Sequence, residues 1–239
     1  MAEDEIAKHT KKIYKTWFNK ELSIWHKLSE FFIEIIIIVF AVSISIWFHN
    51  RSEHAHQQEE VKIFLTGLKD DLTHDIEEMN EDKDSYQNQR RIYSYISSLK
   101  LNELPNRDTL RKYKAWLYNT TEFDPNDGRY EGFKSSGKIG FIENDSLQND
   151  IMDLYQENIP ALLASTKMYL SFKMKMFDYV NKYQKRLTDS TNNFLTFWTI
   201  EEVNNLSGFL AGPNDVIDRY GKCIQLMQKI IGEIEKEYK

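Results

Sequence analysis

The longest apolar run in the chain extends from Phe31 to Phe48, reads FFIEIIIIVFAVSISIWF and contains one charged residue, Glu34. As a helix, a run of roughly 18 residues rises about 27 Å, close to the thickness of the hydrocarbon core of a bilayer. The pattern therefore predicts a transmembrane helix at residues 31–49. A cleavable signal peptide is the competing interpretation, but the basic leader is too long and no A-x-A-like site follows the run.

Basic residues are more frequent before this run than in the comparable stretch after it. Six lysines precede it, whereas Arg51, Lys62 and Lys69 follow it. The positive-inside rule then places the N-terminus in the cytoplasm and residues 50–239 outside it, as one extracytoplasmic helical domain. In residues 1–30 the lysines alternate with apolar side chains, which predicts an amphipathic cytoplasmic tail on the inner membrane surface. A tail docked on another protein is the alternative.

The segment after the apolar run has an apolar residue at every seventh position. This row consists of Leu65, Leu72, Met79, Tyr86 and Tyr93. The second row that a coiled coil needs is interrupted by Asp75, Asp82 and Gln89, so we expect a long helix that packs one face on its own domain. Self-association close to the membrane is the alternative, and its interface candidates are Val61, Leu65, Leu68 and Leu72.

The rest of the chain has helical periodicity and no run of alternating strands. Residues 124–128 have the chemistry of a turn, Gly137 stops a helical turn, and residues 139–142 look like a short extended link. Pro160 is expected to start a new helix, and the last helix follows Pro213. The predicted fold class is all-α, with one N-terminal transmembrane helix followed by a long helix and an extracytoplasmic helical bundle.

Composition adds little beyond this picture. The formal net charge is −6 and no basic face is interleaved with aromatic residues, which argues against nucleic-acid binding. Cys223 is the single cysteine, so an intrachain disulfide and a cysteine-based metal site are excluded. The expected partners are the lipid bilayer and either a second copy of the chain or another membrane protein.

Motifs that carry chemistry are incomplete. Ser135 and Lys138 have S-x-x-K spacing without the companion motifs of that enzyme class, and His54 and His56 diverge on a helix. The acidic turn at residues 124–128 lacks a full set of calcium ligands. We therefore expect no enzyme activity, and no catalytic, cofactor-binding or metal-binding residue.

Glu34 is the polar site of the apolar run. A carboxyl group about one turn inside the membrane boundary is costly, so it can mark a proton or ion site or a polar contact with another transmembrane helix. The alternative is an acid that the interface tolerates. Both interpretations stay open on the sequence alone.

Three segments resemble an uncharacterised family, a domain of unknown function, of single-pass membrane proteins common in Bacteroidota. The matching features are Glu34, Trp47 and Asn50 around the apolar run, Phe64-Leu65 and Leu68 to Asp71 in the long helix, and Phe133 to Lys138, Asn144-Asp145 and Leu147 further along. The resemblance implies a bacterial inner-membrane anchor with a helical domain on the periplasmic side. It carries over no catalytic residue.

The expected function is that of a membrane-anchored structural or interaction protein without catalysis. Its signature would be an apolar or aromatic groove, with Trp198 and Phe209 as candidates, and no organised polar cleft. One alternative is a subunit of an ion-driven or transport membrane complex that uses Glu34. Another is an extracytoplasmic sensor, although a cytoplasmic tail of about 30 residues is short for an output domain.

Overall fold

A computed structural model describes residues 11, 14, 24–100, 102–188 and 191–238. The secondary structure of these residues is helical, and their only strand-like feature is an isolated antiparallel bridge between Arg186 and Asn192. The predicted all-α class is therefore confirmed. The amphipathic tail predicted for residues 1–30 lies largely outside the described residues.

The chain divides into two compact units, Met1–Glu60 and Val61–Lys239. Helix α1, Ile24–Ser97, contains residues of both units. It is long and apolar enough, by length and composition, to span a membrane, and no other helix among the described residues meets this criterion. Only 6% of its most apolar 18-residue window is buried.

The second unit contains the remaining elements. The α-helices are α2 (Arg107–Lys112), α3 (Lys114–Tyr118), α4 (Gly128–Ser135), α5 (Asp145–Asp153), α6 (Ile159–Tyr183), α7 (Phe194–Phe197), α8 (Glu201–Leu210) and α9 (Asn214–Glu237). A 3₁₀ turn, Lys138–Phe141, follows α4, and a π turn, Leu154–Asn158, joins α5 to α6. Helix α6 packs against α8 and α9, and α9 also packs against α5.

The row of every seventh residue on α1 forms the centre of this unit's core. All five side chains, Leu65, Leu72, Met79, Tyr86 and Tyr93, are at most 1% exposed. Tyr86 shows how the row meets its neighbours, because its ring lies 5.2 Å from that of Tyr169 on α6 and 5.7 Å from that of Tyr220 on α9. Large aromatic side chains thus fill the space between α1, α6 and α9, as expected for a helix that packs one face on its own domain.

Two connections differ from the predictions. The segment predicted as an extended link is the 3₁₀ turn Lys138–Phe141, because Gly137 adopts a left-handed conformation (φ 75°) that ends α4 and starts a tight turn. Pro160 lies in the first turn of α6, as predicted, but no loop separates α5 from α6. The Ile159 N–H donates to the carbonyl of Leu154, five residues back, and this wider π turn carries the chain from α5 into α6 around the proline ring.

Candidate functional site

Glu34 lies within the first unit and is covered. Its side chain is 2% exposed, whereas the adjacent Ile33 and Ile35 are 53% and 37% exposed. The apolar side chains beside it are thus exposed, whereas its single carboxyl group is buried. Burial reduces contact between the carboxyl group and the surroundings of the helix. The role of Glu34 as a proton or ion site stays a prediction.

The four interface candidates lie in the core of the second unit. Val61 is 1% exposed, and Leu65, Leu68 and Leu72 are 0% exposed. Their side chains are not available to a second copy while the unit keeps this packing. Ile63, on the outer face of the same helix, is 62% exposed. The hydrophobic face that suggested self-association is thus used within the chain.

Helix α4 packs against α1 through an aromatic stack and an ion pair. The ring of Phe133 stacks on that of Phe64, with centroids 4.0 Å apart and an interplanar angle of 3°. About two turns further along α1, Nε of Arg129 donates to Oδ2 of Asp71 at 2.8 Å. A Cβ atom on Gly67 would overlap the guanidinium group of Arg129. The glycine thus leaves the space that the guanidinium group occupies.

Asp75 fixes the turn that leads into α4. The residue is fully buried, and its carboxylate accepts hydrogen bonds from the backbone N–H (3.2 Å) and the Nδ2 group (2.5 Å) of Asn126. Burial raises the pKa of Asp75, and the hydrogen bonds from Asn126 oppose that rise. The acid that interrupts the second apolar row of α1 is therefore the attachment point of the turn at residues 124–128.

Lys173 on α6 is a buried cation that the sequence analysis missed. It is 1% exposed, and its Nζ donates to the carbonyls of Trp116 (2.9 Å) and Leu117 (3.1 Å) and to Oη of Tyr93 (3.2 Å). Burial lowers the pKa of Lys173 to about 7. Because its partners are two carbonyls at the end of α3 and one phenol, we assign it a positioning role between α1, α3 and α6. The available signal was a lysine within the apolar face of a long helix.

A cleft of about 730 Å³ lies between the α2–α3 segment and the loop that connects α6 to α7. Its basic side chains are Arg107, Arg111 and Lys114, and its remaining lining consists of Leu104, Tyr118, Gln184, Leu187, Thr191, Asn192, Asn193, Phe194, Leu195 and Thr196. The cleft was not predicted, because residues 104–118 and 184–196 are far apart in the sequence and neither segment has a pattern typical of a binding site.

The expected signature of an interaction protein is met only in part. Trp198 is wrong as a groove residue, because its side chain is fully buried in the core. Phe209 is 66% exposed, and its ring stacks on that of Phe172 at 5.5 Å. The same unit also has the cleft described above, whose lining combines three basic side chains with polar and apolar ones. Exposed aromatic surface and a charged cleft occur in the same unit.

The motifs with incomplete chemistry have local structural roles. Oγ of Ser135 donates to the carbonyl of Gly132, and Oγ of Ser136 donates to that of Phe133, at the end of α4. Across the part of the chain that the structure describes, no group of three or more His, Cys, Asp or Glu side chains is arranged to hold a metal ion.

The chain belongs to a family of unknown function (DUF6090), which it matches over residues 34–204. No curated protein and no solved structure matches it. The matched range begins at Glu34 and includes the buried row of α1, the α4 connection and Lys173, whereas α9 lies beyond it.

Proposed function

We propose that this protein is a single-pass membrane protein that presents a helical unit, Val61–Lys239, on the periplasmic side of a bacterial inner membrane, where it binds a protein partner. The observation that carries the proposal is the exposed apolar stretch of α1. Phe32, Ile36 and Phe40 are each at least 60% exposed, and large apolar side chains remain exposed as far as Phe48. Soluble monomers rarely expose contiguous apolar patches above a few hundred Å². A bilayer is the environment that such a helix needs.

The proposed orientation comes from the distribution of basic residues around the stretch. Six lysines precede the stretch, and three basic residues lie in the comparable segment after it. This excess favours a cytoplasmic N-terminus. Trp47 and Arg51 support an interface at the other end, since the indole ring and the guanidinium group lie 5.7 Å apart. Aromatic and basic side chains are enriched where a transmembrane helix meets the headgroups.

Alkaline carbonate extraction of membranes tests the anchor. The wild-type chain should stay in the pellet. The double variant Ile36→Arg/Phe40→Arg should move to the supernatant or be degraded, because each arginine costs about 2.5–3.5 kcal/mol at the centre of a span. Ile63→Arg is the matched control, because Ile63 is equally exposed but lies outside the apolar stretch, and it should stay in the pellet. Extraction of the wild-type chain would contradict the anchor.

The interaction role is supported by exposed apolar side chains on the folded unit. Met168 and Phe209 are 62% and 66% exposed, and the stack of Phe209 on Phe172 joins α8 to α6. Mass measurement of the complex purified from native membranes in mild detergent should detect a stoichiometric partner. Phe209→Ser should lose this partner, whereas Met174→Ser, at another exposed position of α6, should keep it. A monomer without a partner in the wild-type preparation would contradict the interaction role.

A second candidate, a subunit of an ion-driven complex, is favoured by the burial of Glu34 within an otherwise exposed apolar stretch. In that case Glu34→Gln should abolish ion flux through the reconstituted complex and leave its composition intact. Glu30→Gln is the control, because residue 30 precedes the apolar run. Unchanged flux in the Glu34 variant would exclude the second candidate and leave the anchor proposal standing.

A further inference from the structure

The cleft between α2–α3 and the α6–α7 loop concentrates positive charge in a protein with a net charge of −6. Arg107, Arg111 and Lys114 follow one another at helical spacing, and none of the described lining residues is acidic. Asp108 lies beside Arg107 on α2 but does not line the cleft. Asp189 and Ser190 lie outside the described residues.

Within the described part of the chain, the three cations have no partner that explains their positions. Among the described residues, none of them forms an ion pair or a side-chain hydrogen bond, and all three are exposed. Arg107 is the first residue of α2, where the helix dipole disfavours a positive charge. Arg107 and Arg111 are like charges four residues apart, which also destabilises a helix. Arg111 lies in the last turn of α2, where the dipole favours a cation, so the folding of α2 explains the charge at Arg111 but not the charge at Arg107.

The basic wall of the cleft is held in place without a ligand. Oδ1 of Asn106 accepts hydrogen bonds from the backbone N–H groups of Asp108 (2.9 Å) and Thr109 (3.0 Å), and the Asn106 N–H donates to Oη of Tyr95 on α1 at 2.7 Å. Leu110 is fully buried beneath α2. The cap and the buried leucine fix the direction in which α2 presents its arginines.

The opposite wall is equally constrained. Asn193 accepts from the Lys185 N–H at 2.6 Å and donates through Nδ2 to the carbonyl of Tyr183 at 2.9 Å. The Leu187 N–H donates to the carbonyl of Thr191 at 2.9 Å. These bonds tie the two ends of the loop together. A preorganised cleft loses less freedom on binding than a flexible one.

We propose that this cleft binds an organic anion that carries at least two phosphate or carboxylate groups. Guanidinium groups pair with both kinds of oxyanion through parallel hydrogen bonds, and Arg107 and Arg111 supply two such groups. Tyr118, Leu187 and Phe194 provide an apolar surface for the rest of the molecule. The volume is in the range of small-molecule sites. The proposal goes beyond the interaction role and does not depend on the membrane anchor.

Isothermal titration of the full chain in nonionic detergent tests the site, with inorganic pyrophosphate for phosphate chemistry and citrate for carboxylate chemistry. Each titration is matched in ionic strength with sodium chloride. At least one anion should bind saturably with one site per chain, and the stronger of the two identifies the preferred group. Arg111→Glu should weaken binding by at least tenfold, because it replaces a cation of the cleft with an acid.

Lys112→Glu is the matched control, since it makes the same change of charge one residue along α2 at an exposed position outside the cleft. It should bind the anion within about twofold of the wild-type affinity. Circular dichroism should show the same helix content and thermal midpoint in both variants. Equal loss in the two variants would mean general electrostatic attraction, and no saturable binding of either anion to the folded wild-type chain would overturn the proposal.

Discussion

At the residue scale, Lys173 makes the stability of the fold depend on pH, because its ammonium group is buried against two carbonyls and a phenol. Its pKa is about 7 in the folded chain and 10.5 as the ordinary value. Between these values the unfolded chain binds more protons than the folded chain, so the free energy of unfolding rises with pH. Below pH 7 the group is protonated in both states and contributes no pH dependence.

We predict that Lys173→Met removes this pH dependence. In the wild-type chain Lys173 should add about 2 kcal/mol to the free energy of unfolding between pH 7 and pH 9, since one pKa unit corresponds to about 1.4 kcal/mol. Urea unfolding in nonionic detergent measures the change in the free energy of unfolding between the two pH values for each chain. The other titrating groups contribute equally to both chains, so they cancel when the two changes are compared. Equal slopes for the wild-type and methionine chains would show that the folded chain does not shift the pKa of Lys173.

Asp75 gives a second prediction at this scale. Asp75→Ala should lower the free energy of unfolding by about 2–3 kcal/mol, because it leaves the backbone N–H and the side-chain amide of Asn126 without their charged acceptor. Glu77→Ala, at an exposed position two residues along α1, should change it by less than about 0.5 kcal/mol. Urea unfolding at pH 7 distinguishes the two, and similar losses would mean that the turn does not depend on Asp75.

The buried face of α1 could be predicted from the sequence, but the partners of Asp75 and Lys173 could not. The spacing of Leu65 to Tyr93 was enough to predict the buried face of α1, since helical periodicity is a local property. The partners of Asp75 and Lys173 were not predictable, because Asn126 is 51 residues from Asp75 and Trp116 is 57 residues from Lys173. A polar residue in an apolar row indicates an interruption, whereas its partner depends on tertiary packing.

At the scale of the elements, α1 has one face in the core of the second unit and one face outside it. Leu68→Ala should lower the free energy of unfolding by about 2–5 kcal/mol, the usual cost of a cavity at a fully buried leucine. Ile63→Ala, on the exposed face, should cost less than about 0.5 kcal/mol. If Leu68→Ala changed the oligomeric state and left this free energy intact, the side chain would belong to an interface between copies.

The end of α4 gives a prediction about backbone conformation. Gly137 has a φ of 75°, and a side chain there costs about 1–2 kcal/mol. Gly137→Ala should therefore destabilise the unit by about that amount. Gly132→Ala, inside α4 with open space around it, should stabilise the helix by about 0.5–1 kcal/mol. Thermal unfolding should move the two midpoints in opposite directions, and a shift in the same direction would contradict the assignment of Gly137 as the helix stop.

The connections between elements were predicted less well than the elements themselves. The stop at Gly137 followed from the chemistry of one residue, but the 3₁₀ turn after it and the π turn before Pro160 depend on hydrogen bonds that small shifts in register decide. The all-α class followed from periodicity over many residues. The cleft combines two such connections, which is why no pattern in the chain indicated it.

At the scale of the whole molecule, the two units differ in what their side chains expose. The first unit supplies an apolar helical stretch suited to a bilayer, and the second supplies an extensive core that contains the side chains first considered for self-association. We propose that partners meet the outer surfaces of the second unit, at the exposed Phe209 on α8 or in the basic cleft.

The most direct test of this account is the side of the membrane on which each unit lies. Cys223 is buried, and burial raises the pKa of its thiol to about 11, so it should not react with a maleimide at neutral pH and serves as an internal control. Single cysteines are introduced as Ser98→Cys in the exposed part of the second unit and as Thr10→Cys in the N-terminal tail. A membrane-impermeant maleimide should label Ser98→Cys in intact spheroplasts and Thr10→Cys only after lysis. Labelling of both variants in intact spheroplasts, or of Thr10→Cys alone, would contradict the proposed anchor and its orientation.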